Sequence, residues 1–157
     1  MKEKQLITRI QEVQYDELDE SRRHLVDLAR QATKRSYAPY SKFRVGAAIA
    51  LDNGEIVSGS NQENAAFPSS TCAERTAAYY AHATYPDANF KTIAIAARGT
   101  DGEEVAAPIA PCGACRQALL EYETLAGDNV EVILVGRDAI YILPSVRSTL
   151  PLAFSEF

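Results

Sequence analysis

A chain of 157 residues, 46% apolar and 24% charged, has the balance of one globular domain with its own core. Its 21 acidic side chains outnumber 16 basic ones for a net charge of −5, which argues against a general grip on nucleic-acid phosphates, since that grip needs clustered Lys and Arg. No unbroken apolar run follows Met1, so neither a secretory leader nor a membrane span is expected, and the expected compartment is the cytoplasm.

Gln5 to Tyr15 mixes β-branched and charged residues, with Ile7, Arg9, Gln11, Val13 and Tyr15 on one side; this predicts an extra strand near the sheet edge or a loose arm, within an N-terminal extension of residues 1–17. Asp19 to Arg35 brings Leu18, Leu25, Val26, Leu28, Ala29 and Ala32 to helical spacing, with Asp19 or Ser21 as N-cap, and Pro39 bars its continuation. Val45 to Leu51 and Ile56 to Ser60 flank Asp52-Asn53-Gly54, a turn that tolerates positive φ, and so form an antiparallel hairpin. Helices are expected over Cys72 to Ala83 and Cys112 to Leu125. Strands are expected over Thr92 to Ala97, Val130 to Val135 and, after the turn at Arg137-Asp138, Ala139 to Leu143. The order predicts an α/β fold over residues 1–157: a single-domain three-layer sandwich whose mixed sheet joins the antiparallel hairpin to parallel strands between flanking helices. Gly99 to Ile109 reads as an exposed detour with no functional account.

The three cysteines cannot all pair within one monomer, and a reducing compartment would keep them as thiols. Pro111-Cys112-Gly113-Ala114-Cys115 sets two thiols on one face of a helix's first turn, with Pro111 suited to the helix entrance and Gly113 letting the backbone pass near a metal. Cys72 also opens a helix, and helix N-termini favour thiolate over thiol. Three thiolates suit zinc and leave a fourth tetrahedral position for water. Glu74, two residues after Cys72, is placed to carry protons rather than to ligate. The order of a first ligand, one residue, Glu and a distant P-C-x-x-C is the signature of zinc nucleobase deaminases. The competing reading is a closed zinc clip, which usually has four ligands; His24 and His82 both lie outside the motifs.

At these residues the sequence resembles the small homotetrameric cytidine deaminases of the three-cysteine zinc type. The likeness runs from about Tyr37 to Phe154 through Tyr40-Ser41-Lys42-Phe43-x-Val45-Gly46-Ala47-Ala48, Asn61-x-Glu63-Asn64-Ala65, Cys72-Ala73-Glu74-Arg75-Thr76-Ala77 and Pro111-Cys112-Gly113-Ala114-Cys115-Arg116-Gln117. It implies hydrolysis of cytidine and 2′-deoxycytidine to uridine and 2′-deoxyuridine in pyrimidine salvage, with one zinc per subunit on Cys72, Cys112 and Cys115 and Glu74 as proton shuttle. It also implies that Asn61 and Glu63 hold the ribose 3′-hydroxyl, that Phe43 packs on the pyrimidine and that Ala73 lines the substrate site. Leu150-Pro151-Leu152-Ala153-Phe154 is similar to the family's tail, whose Phe covers the base in a neighbouring subunit's pocket; Leu143-Pro144 offers a competing alignment that would put Arg147 at the aromatic position. Arg75 has its own rationale, because three thiolates around Zn²⁺ leave a net negative shell that a guanidinium would offset. Gln62, Ala66 and Phe67 depart from the commonest family residues without touching a metal ligand. The nearest rival is a deaminase of a larger aminopyrimidine nucleoside, such as a blasticidin-S-type antibiotic; a more distant one is a non-enzymatic zinc-stabilised binding module.

Overall fold

The computed structural model describes residues 1–156. Its elements run β1 (Gln11–Val13), α1 (Glu20–Ala32), β2 (Arg44–Leu51), β3 (Ile56–Ser60), α2 (Ala73–Thr84), β4 (Phe90–Arg98), α3 (Gly113–Ala126), β5 (Glu131–Val135) and β6 (Ile140–Leu143). All six strands join one sheet in the order β1-β6-β5-β4-β2-β3. This is the expected α/β sandwich, with one refinement: β4 and β5 are its one parallel pair, because only there are two strands separated by a helix also neighbours in the sheet; α1 and α2 join strands that do not pair with each other. The tight turn after β5 makes β6 antiparallel to it.

Alternation along the strands decides which helix covers which face. On β4, Ile93 and Ile95 pack with Leu119, Leu120, Ala77 and Ala81 of the α2 and α3 layer. Ala94 and Ala96 point the other way, onto Leu25, Val26 and Ala29 of α1. Small residues on the α1 side let that helix sit close. A Cβ at Gly46 would collide with the backbone of Ala29 and Thr33 at the C-terminal end of α1, so the sheet needs glycine there. Gly59 plays the same part for α2: its absent Cβ would stand 2.5 Å from the Ala77 amide and 2.9 Å from the Ala73 carbonyl.

Asp19 is the N-cap of α1, its Oδ1 accepting from the Arg22 amide at 2.9 Å, and Arg22 in turn reaches Glu131 at 2.7 Å. The helix closes through a 3₁₀ turn at Thr33–Arg35, within the stretch read as one helix from sequence. The N-terminal strand is shorter than the pattern suggested. Only Gln11–Val13 pairs, antiparallel to β6, while Leu6, Ile7 and Ile10 are exposed.

Candidate metal centre and active site

Two helices begin at the same place. Cys72 is the N-cap of α2 and Cys112 the N-cap of α3, both in extended backbone, and neither sulfur is used to cap its helix. Cys115 follows at the third position of α3, buried, on the same face as Cys112. Pro111 therefore precedes the cap rather than occupying the first turn. A Cβ at Gly113 would meet no atom within 4 Å, so nothing in this chain crowds that side of the helix. The three Sγ atoms lie within 4.8 Å of one another, the one such group of three metal-binding side chains among the described residues. Cys72 and Cys112 are 3.9 Å apart. A tetrahedral zinc with bonds of about 2.3 Å would separate its sulfurs by about 3.8 Å, so the donor set fits that ion in kind and spacing.

The surrounding charges favour ligation. The Cys72 thiol is brought down to about 5, chiefly by the hydrogen bond from Cys115 and further by Arg75 and Cys112. Cys115 moves the opposite way, through that same shared hydrogen bond and then through burial. Arg75 Nη2 donates to Cys72 Sγ at 3.5 Å, and the two thiols hold its guanidinium firmly in the charged form. Its buried Nε has no partner among the described residues. Glu74 is 3% exposed, and its Oε2 accepts from Cys115 Sγ at 3.6 Å. Burial raises its pKa above the ordinary carboxylate range, with the Cys72 charge adding to the effect. The arrangement sets three sulfurs that could hold a metal beside a desolvated carboxyl group.

The other residues singled out from sequence fall into two sets. The segment carrying Asn61 and Glu63 lies directly against the chain that leads into Cys72, since Gln62 and Thr71 exchange two backbone hydrogen bonds of 2.9 Å. Asn61 is more committed than a free two-way amide: its Oδ1 accepts from Ser36 Oγ at 2.5 Å and from the Val45 amide at 2.8 Å, and its Nδ2 donates to the Phe43 carbonyl at 2.9 Å. One N–H is left for a ligand. Glu63 accepts from the amides of Tyr40 at 2.8 Å and Ser41 at 3.2 Å and from the Ser41 hydroxyl, which together hold its carboxylate below its usual range. Phe43 is half-buried just ahead of β2, and Ala73 is fully buried as the first residue of α2. Phe154 is 69% exposed and held against α3, its carbonyl accepting from Gln117 Nε2 at 2.7 Å. Sequence reasoning gave no role to Ser36 and Ser41, which orient the amide and carboxylate. Ser41 sat inside a recognised motif and could have been found there, whereas Ser36 carried no signal.

Three comparisons bear on this site. Residues 19–126 match the family model for the zinc-binding region of cytidine and deoxycytidylate deaminases. The cytidine deaminase of Sporosarcina psychrophila is 37% identical over 132 residues, covering 84% of this chain and 90% of the relative. That of Halalkalibacterium halodurans is 40% identical over 100 residues, 64% of this chain and 70% of the relative. Among solved structures, cytidine deaminase from Burkholderia pseudomallei superposes with a TM-score of 0.71 at 36% identity, covering 83% of this chain and 97% of that one. The enzyme from Mycobacterium tuberculosis does so with a TM-score of 0.68 at 30% identity, covering 88% of this chain and all of its own.

Proposed function

The chain belongs to the cytidine and deoxycytidylate deaminase family and is a hydrolytic cytidine deaminase, and on that basis we propose that it converts cytidine and 2′-deoxycytidine to uridine and 2′-deoxyuridine, releasing ammonia, in pyrimidine salvage. The observation that carries this reading is the meeting of three sulfurs within 4.8 Å beside the buried Glu74 carboxyl. Cys72, Cys112 and Cys115 hold one Zn²⁺ per subunit. When bound, the ion supplies the Lewis acidity that makes water a usable nucleophile at neutral pH.

Glu74 carries the protons. It accepts one from the water that adds to C4 of the pyrimidine and delivers it to N3. It then takes the second proton of that oxygen to the departing amine, so one carboxyl serves as base and acid in turn. A desolvated carboxyl suits this task because its two protonation states lie closer in free energy at neutral pH than those of an exposed one. Arg75 draws charge from the Cys72 sulfur and limits the electron density the thiolates give the metal. The remaining N–H of Asn61 and the carboxylate of Glu63, fixed by Ser36 and Ser41, take the ribose 3′-hydroxyl; Phe43 packs on the base and Ala73 lines its pocket.

Phe154 completes the pocket of a neighbouring subunit in a homotetramer. Supporting this are the exposed aromatic residues Tyr37, Tyr40, Phe67, Tyr79, Tyr80 and Phe154, a residue type enriched at subunit interfaces. The free thiols suit a reducing cytoplasm, and no helix among the described residues is long and apolar enough to cross a membrane. Metal analysis with a cytidine absorbance assay tests the reading. One zinc per chain is expected, with turnover lost on chelation and restored by zinc. Full turnover after exhaustive chelation overturns it.

A further inference from the structure

The opposite face of the sheet carries a feature that deamination does not use. Where β2 begins and β4 ends, the register sets Arg44 directly across from Arg98. Like charges facing one another on adjacent strands destabilise a sheet, and here they are not diluted. Lys34, just past α1, and Lys42, just ahead of β2, line the same open groove with Thr100, Asp101 and Gly102. The groove encloses about 810 Å³. It lies on the α1 side, since Arg98 Nε donates to Thr33 Oγ1 at 3.0 Å, while the cysteines stand at the ends of α2 and α3.

The residues lining the groove include four cations and one carboxylate, Asp101, in a chain that is acidic as a whole, and of the four Lys42 also feels the Glu63 carboxylate. The ion pairs among the described residues engage Arg22, Arg30, Lys91 and Arg137, so none of the four lining cations is in one. Arg98 is held in place twice, its Nη1 also donating to the Gly102 carbonyl at 3.1 Å, which fixes a guanidinium at the groove without neutralising it. Lys42 is the one non-glycine described residue with positive φ, 58°, a costly backbone state. The stretch Gly99 to Gly102, left without a role by sequence, forms the groove's far wall and is ordered by hydrogen bonds from the Gly99 amide to Glu103 and the Gly102 amide to Gly99.

We propose that this groove binds a small polyphosphate anion, either free or as the tail of a nucleotide. A run of phosphates spans a groove of this size and offers several anionic oxygens at once, matching two guanidinium forks and two ammonium groups. A single phosphate would satisfy only part of the cluster. Concave walls and an excess of cations over carboxylates concentrate the positive potential there despite the negative total.

The test is calorimetric titration of the zinc-loaded protein with inorganic tripolyphosphate at low ionic strength, repeated with Lys34→Glu and Arg44→Glu. Expected are one site per chain, affinity that falls as salt is added, and weakening by about tenfold or more in each charge-reversal variant, with Lys34→Glu retaining cytidine turnover. Adenosine triphosphate, which cannot use the pyrimidine site, separates the two sources: tighter binding than tripolyphosphate assigns the groove to nucleotides, and equal binding to the phosphate run alone. Absence of heat overturns the proposal. So does an equal signal in wild type and variants, the signature of chelation at the cysteines. Displacement by a single-stranded oligonucleotide at lower concentration than by tripolyphosphate overturns it as well, by making the surface a polynucleotide one.

Discussion

Two buried carboxylates, Glu74 and Glu123, sit in the same helical layer and do opposite things. Glu123, 7% exposed near the end of α3, accepts from the amides of Val130 at 2.9 Å, Val146 at 2.6 Å and Arg147 at 3.0 Å. Glu74, 3% exposed at the start of α2, has a thiol at 3.6 Å. Equal burial therefore does not mean equal function. A carboxylate enclosed by backbone amides is an anchor, since every donor it holds would be orphaned by its loss or protonation. One enclosed by apolar residues and a polarisable sulfur has few partners to lose and can exchange its proton.

Exchanging the two functions' readouts is the strongest way to break that contrast. Glu74→Gln is expected to lower cytidine turnover by about four orders of magnitude while zinc content and melting temperature hold, the pattern of a group used in the transition state. A folded, zinc-loaded variant with near-normal kcat would end the assignment. Glu123→Ala is expected to do the reverse. Three amides left without an acceptor cost about 3 kcal/mol or more of unfolding free energy in urea titrations, with kcat of the folded fraction close to normal. Undiminished stability would show that the anchor is not one.

Arg75→Ala sharpens the contrast on the side of Glu74, because the same metal site must survive without its compensating cation. Zinc loss to a competing chelator should speed up by about tenfold to a hundredfold, read by a colorimetric metal indicator, whereas Arg75→Lys should recover part of it. Asp19 supplies the exposed counterpart. It too accepts a backbone amide, but in water, and Asp19→Ala should cost only about 1 kcal/mol. Its pKa is lowered, first by the Arg22 amide and then by the Ser21 hydroxyl, so the folded state holds its proton less tightly than the unfolded. This contribution is complete above the ordinary Asp value of about 3.9 and disappears as pH falls through the lower folded value. Melting curves between pH 5 and pH 3 (about one unit either side of that value) should show wild type converging on the variant.

How much of this was legible before folding follows from where each residue's partners lie. The Asn53-Gly54 hairpin, the α1 stripe and the paired thiols of Cys112 and Cys115 are local patterns, and each is found at the expected place. Glu123 was invisible, because a Glu two positions after Glu121 on a helix reads as one more solvated charge and two of its partners are 23 and 24 positions further on. The commitment of Asn61 was hidden in the same way, through Ser36, 25 residues earlier. The edge strand was overestimated because alternation continues from Gln5 while β6 offers partners for Gln11–Val13 only. A Cys-x-Glu and a Pro-Cys-x-x-Cys motif are chemically distinctive and announce themselves. Ordinary side chains that serve the backbone do not.

The absent methylene at position 59 has an engineering consequence. With the Ala73 carbonyl only 2.9 Å from where a Cβ would be, the gap between hairpin and α2 leaves no room for one, and any larger residue must shift either the edge strand β3 or the helix that Cys72 caps and that carries Glu74. Position 59 acts as a shim, so a saturation library there should lose its metal long before it loses its circular-dichroism spectrum.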